Sequence, residues 1–257
     1  MKRFVTTMAL FAVCAAPAFA APILSEPFTY PNGNLAPNGG WATFSGAVTD
    51  VQVSAGRAVG FGPNANDDHI FFPAQPATSK TYACFDVIIP PVAGAPKPIY
   101  FTALKDAGTA NFVSRVYVLQ VAGGFTFGLS HSSTSTTVGV VPWSATSLVY
   151  GQKYNIVINY DPVAKSSTLW VDPANEFSPS VSITNAAIAS LSASTFALRQ
   201  AATSATLPAS PSYAGTADWG FSVDNLGIGT TFADACVQYQ TTPATKSTWG
   251  QVKSIYR

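Results

Sequence analysis

Carboxylates are scarce in this sequence, and their placement limits the chemistry open to it. The two glutamates, Glu26 and Glu176, stand alone, each near a proline in a loop-like stretch. Glycoside hydrolysis needs two carboxyl groups aimed into one cleft, which on a strand means alternate positions. No glutamate pair meets that need, and the adjacent Asp67 and Asp68 would face opposite ways in an extended strand. There is no G-x-S-x-G elbow, neither His69 nor His131 sits in a recognisable nucleophile arrangement, and no glycine-rich phosphate loop opens a helix. The sequence therefore predicts that the protein is not an enzyme, with glycoside hydrolysis the least favoured of its functions.

Residue types suited to binding are easier to find. The run 167–172 alternates, so one face carries Thr168, Trp170 and Asp172; in 111–121 one face carries Arg115 and Tyr117. On a concave sheet such rings stack on sugars, while Asp172 and Arg115 bond hydroxyls. The competing reading is that Trp170 and Tyr117 cover a sheet surface beneath a loop and that Arg115 is a paired charge at a sheet edge. Asn64, Asn66, Asp67 and Asp68 bring together oxygens of the type a hard cation takes, which makes calcium the candidate cofactor. They lack the Asp-x-Asp-x-Asp-Gly pattern of a defined calcium loop, and a solvated turn is the favoured reading.

The elements that must position these residues are strands. Runs at 48–53, 57–61, 81–89, 99–104, 111–121, 124–131, 153–160, 167–172 and 195–200 are short, period-two or apolar, and punctuated by Pro, Gly, Asn and Asp. The polar stretch 62–69 reads as a loop, and 185–194 as one or two helical turns. Trp219 to Cys236 reads as a late strand that closes the fold and ties down its C-terminal end. Phe221, Val223 and Asn225 fall on one side of it, Ser222, Asp224 and Leu226 on the other. Many short strands without a fixed repeat predict an all-β fold, a two-sheet antiparallel β-sandwich or jelly roll with at most short helical turns.

Residues 1–20 have the form of a signal peptide: Lys2 and Arg3, an apolar run, then Ala18-Phe19-Ala20 as a cleavage site. A lipid-modified Cys14 is the less favoured alternative, since Val13 is bulky where a small residue belongs. Removing that segment leaves 11 basic against 12 acidic residues, with charged residues only 10% of the whole chain. No basic stripe invites nucleic acid. Cys84 and Cys236 survive, and a lone pair in an exported chain reads as a disulfide, with two separate buried thiols as the alternative. The domain is expected to span 21–240. Residues 241–257 follow as a linker and short basic tail, in which Trp249, Val252 and Ile255 suit an amphipathic helix or a frayed end.

Five stretches in order carry a resemblance: 26–41 (EPFTYPNGNL…GGW), 154–162 (YNIVINYDP), 168–173 (TLWVDP), 196–200 (FALRQ) and 221–235 (FSVDNLGIGTTFADA). Together they resemble bacterial laminin-G-like domains of the concanavalin A-like lectin/glucanase superfamily. The resemblance implies two curved antiparallel sheets packed face to face, paired terminal strands, and calcium as a family ligand. Function is expected to be that of an exported non-catalytic module, extracellular, on the cell surface or periplasmic, that binds a carbohydrate or another surface ligand. The alternative is a structural or adhesive surface protein whose tail contacts the surface or the secretion machinery.

Overall fold

The computed structural model describes residues 21–46, 49–61, 66–92, 98–131, 141–200 and 219–239. The signal-peptide reading of 1–20, Asn64 and the tail 241–257 fall outside these residues.

The strands begin with β1 (Leu24–Glu26), β2 (Gly33–Asn34), β3 (Trp41–Ser45), β4 (Gln52–Ser54) and β5 (Arg57–Phe61). Next come β6 (Asp67–Phe71), β7 (Thr81–Ile88), β8 (Ile99–Lys105), β9 (Phe112–Val121) and β10 (Gly124–Ser130). The last are β11 (Lys153–Asp161), β12 (Ser166–Val171), β13 (Ser180–Thr184), β14 (Thr195–Leu198) and β15 (Gly220–Gly229), followed by a single helical turn, α1 (Phe232–Ala235).

They form two antiparallel sheets packed as a sandwich. One has the order β13-β12-β11-β7-β15-β5-β4-β2, with β1 also on β15; the other runs β10-β9-β8-β14-β6-β3. The terminal strands pair as expected, Leu24 opposite Ile228. Interlocking rings from both sheets fill the space between them: Phe85 lies 5.5 Å from Phe196, and Phe101 lies 5.6 Å from Phe221. Offset and edge-on ring pairs of this kind add about 1 kcal/mol each beyond their buried area.

Two sequence expectations change. Asp67-Asp68-His69 is strand, not loop, because β3 and β14 flank β6 on both sides and satisfy its backbone. Residues 185–194 form no helix; Asn185 instead accepts from the backbone N–H of Ala187 and turns the chain.

The stretch from Trp219 to Cys236 takes a central place. β15 is bonded to β7, β5 and β1, and a bulge at Asp224/Gly227 breaks its alternation. Asn225 sits there at φ 52°, so Phe221 and Val223 face the core before the bulge, and Leu226 and Ile228 after it. Beyond the strand, α1 lies across the outer face of this sheet. Side chains at Gly227 and Gly229 would collide with the backbone of Ala235, so glycine lets the helix approach. Cys84 and Cys236 are bonded in a disulfide with Cα atoms 5.3 Å apart.

Candidate functional site

The face of the six-stranded sheet that points away from the sandwich carries an unusual set of side chains. Alternation puts Tyr117 and Arg115 of β9 there, and a left-handed Ser114 (φ 48°) turns its own hydroxyl inward to Ser167 Oγ, 2.7 Å away. On β8, register shifts at Thr102 bring both Tyr100 and Lys105 to this face. β6 adds His69 and Asp67, β3 adds Phe44, and Arg199 follows the end of β14.

The contacts form a continuous row. Lys105 Nζ lies 3.3 Å from His69 Nδ1, donates to the Asp106 carbonyl at 3.1 Å, and sits 4.9 Å from the Phe44 ring centre. His69 stacks on Phe44 at 4.8 Å. The Arg115 guanidinium lies over Phe112 (4.8 Å) and Tyr100 (4.9 Å), and that of Arg199 over Tyr100 at 4.3 Å. Arg199 Nε is also 3.9 Å from Asp67 Oδ2, and both arginines have further partners. Three cations thus face one carboxylate among the described residues of this row.

Burial tunes these groups. Lys105 and Arg115 are fully buried in this structure, and Tyr100 is 4% exposed. Burial, with Lys105 alongside, pushes the His69 imidazole down to about 4, so it is neutral at pH 7. Burial also lowers Lys105, against the opposing pull of Asp106, and raises Tyr100, which keeps its proton. A neutral imidazole beside an amine, together with clustered cations and a protonated phenol, can neutralise a carboxylate and move a proton.

The residues expected to bind are divided by the fold. Arg115 and Tyr117 belong to this row. Trp170 points to the opposite side of the molecule, 5% exposed, and packs with Tyr82, Phe232 and the disulfide, its Nε1–H donating to the Glu176 carbonyl. It braces α1, because the strand face it occupies is covered by the C-terminal turn. Asp172 is exposed at a separate cleft with Trp143.

The candidate calcium oxygens are likewise dispersed. Asn66 Nδ2 donates to Asp50, Asp67 accepts from Ser45 and Gln200, and Asp68 accepts from the Val51 N–H. Asp67 and Asp68 face opposite ways, as strand alternation requires. No group of three or more His, Cys, Asp or Glu suited to a metal occurs among the described residues. His69, Lys105, Tyr100 and Arg199 were missed by sequence reasoning. The register shifts in β8 hide its alternation, and only the arginine ending the apolar run FALR gave a local signal.

No protein-family model matches the chain, and no curated protein does. Solved structures are similar in fold. The alginate lyase Aly36B shares 12% identity at a TM-score of 0.49, over 82% of this chain and 98% of that one. The CBM2 module of the evolved Dit of Lactobacillus casei BL23 phage J-1 shares 12% at 0.47, over 82% and 97%. An endo-β-1,4-glucuronan lyase from the fungus Trichoderma reesei shares 12% at 0.45, over 84% and 98%.

The expectations of a non-catalytic module and of a chain that is not an enzyme are corrected here. Structures similar to it are described as polysaccharide lyases. The missing glutamate pair bears only on glycoside hydrolysis, since elimination beside a carboxylate uses a base, a proton donor and cations.

Proposed function

We propose that the chain cleaves an anionic, uronate-containing polysaccharide by β-elimination on the outer face of the six-stranded sheet. The observation that carries this reading is the row of Lys105, Arg115 and Arg199 with a neutral His69 and a protonated Tyr100. The C5 proton of a uronate lies next to its carboxylate and becomes acidic enough to remove when cations offset the charge. Arg115 and Arg199 hold that carboxylate. Lys105, whose hold on its proton burial weakens, first gives that proton to solvent; the neutral amine then accepts from His69 Nδ1–H, and Nε2 takes the C5 proton. The C4–O4 bond breaks, its electrons leave with O4, the C5 electron pair forms the C4=C5 bond, and Tyr100 protonates O4.

The face is closed to solvent in this structure, so the activity requires it to open. Acylation of Lys105 by an amine reagent, read by peptide mass, reports that opening, and a lysine that never reacts sinks the reading. The direct test incubates the full chain with alginate, polyglucuronate and polygalacturonate and follows the ultraviolet absorbance of the unsaturated uronate. Activity is expected on one of them, with His69→Ala and Arg115→Ala slower by about 100-fold or more. No absorbance change with any uronate polymer overturns it.

Export to the cell exterior, supported by the form of residues 1–20, would place the protein with such polymers. Kinship with laminin-G-like domains is supported by the five matching stretches. No helix among the described residues is long and apolar enough to cross a membrane.

A further inference from the structure

The 141–148 segment runs along the free edge of β10, bridged at Phe125/Leu148 and Gly128/Trp143. Any side chain at Gly128 would run into the Trp143 ring, so glycine seats the indole there. Between this segment and the β12/β13 edge opens a cleft of about 450 Å³, within the range of small-molecule sites. Trp143, half-buried, forms one wall, while Leu169 and Val181 supply apolar lining.

Asp172 supplies the polar side, and it is held in place from two directions. Its Oδ1 accepts from the Asn155 N–H at 2.6 Å, while its own N–H donates to the Asn155 carbonyl at 2.8 Å. Among the described residues Oδ2 has no partner, and Asp172 is the one charged residue of those that line the cleft. Ser144, Thr146, Ser178 and Ser180 add hydroxyls.

We propose that this cleft is a second saccharide subsite, taking an uncharged pyranose residue. The indole face suits the C–H face of a pyranose, and a fixed carboxylate oxygen accepts from sugar hydroxyls but repels a uronate. Trp143 also packs against Tyr100, Tyr117 and Val141, so the cleft adjoins the cationic row. His69 on β6 and Gly128 on β10 are four strand spacings apart, roughly 19 Å at about 4.8 Å each, a span of several sugar residues. The substrate class is then a heteropolysaccharide that places a neutral sugar some residues from the uronate cleaved. This deepens the elimination reading and rests on it only in taking the ligand to be a polysaccharide.

The test is saturation-transfer NMR on the full chain with cellohexaose, mannohexaose, laminarihexaose and xylohexaose as probes. One of these is expected to bind. Ala174→Trp, which fills the cleft from an exposed position, should abolish the transfer, and Asp172→Asn should weaken binding about tenfold, near the value of one good hydrogen bond. If no probe binds, or if Ala174→Trp binds as the unaltered chain does, the subsite is overturned. A chain that binds a neutral hexasaccharide through Ala174-sensitive contacts yet forms no unsaturated uronate would sink the elimination and uphold the cleft.

Discussion

Lys105 Nζ stands 3.3 Å from His69 Nδ1, on strands separated by β14, and the lysine's charge weakens the imidazole's hold on a proton. A positive charge beside an imidazole opposes its protonation, and burial acts in the same direction. Lys105→Met removes the charge and keeps the bulk. The His69 pKa, followed by NMR of the ring proton, should then rise from about 4 towards 6.5. An unmoved titration would show that the two groups do not interact in solution.

The two histidines set the acid limb of stability. His131, buried between the sheets, bonds Ser167 Oγ through Nδ1 at 2.8 Å, and burial pushes it down to about 4. A depressed pKa means stability that is complete above 6.5 and is lost as pH falls to about 4, because the unfolded chain protonates first. Asp68 works in the opposite sense. Burial and Asp50 raise it to about 6, so its contribution is present below its unfolded value of 3.8 and lost as pH rises through 6. Denaturation midpoints should fall between pH 7 and pH 4, and His131→Gln should flatten that fall by on the order of 3 kcal/mol. An unchanged slope in the variant would exclude His131 as its source.

Trp170→Ala should behave as a packing defect. The indole lies against Tyr82, Phe232 and the Cys84–Cys236 layer, so its removal should cost about 3–5 kcal/mol. Removing the disulfide with Cys84→Ser and Cys236→Ser should cost about 2–5 kcal/mol. Calorimetry on both variants decides. A Trp170→Ala protein as stable as the parent would mean that the layer does not hold α1 in place.

Glu26 is a structural carboxylate. It is 3% exposed and accepts from the Phe28 N–H (2.6 Å), the Tyr30 hydroxyl (2.6 Å) and Trp41 Nε1 (3.1 Å). Glu26→Ala leaves these donors without their acceptor and should lower stability by about 2–4 kcal/mol. Turnover per folded molecule should not change. A loss of turnover at unchanged stability would instead place Glu26 in the chemistry.

Local pattern was legible where one residue's neighbours decide its state. The alternation in Tyr154–Tyr160 marked β11, the turn formers between runs marked their ends, and a lone cysteine pair marked the cross-link. The site was less so. Arg115 and Tyr117 could be assigned to one face because β9 alternates through them, whereas Trp170 alternates equally well and lies on the far side of the molecule. Alternation tells which residues share a face of a strand; it cannot tell which sheet that strand joins.

By itself, then, the sequence determined the class of fold, through strand periodicity, turn chemistry and a composition too poor in charge and helix signals for anything else. Tertiary structure decided the site. His69, Lys105, Tyr100, Arg115 and Arg199 come from three strands, β6, β8 and β9, and from the residue that follows β14, and bulges in β8 and a left-handed Ser114 in β9 set which way they point. Such register shifts arise from the pairing of whole strands across the sheet. Their cause lies in long-range contacts, so no local spacing in the chain could announce them.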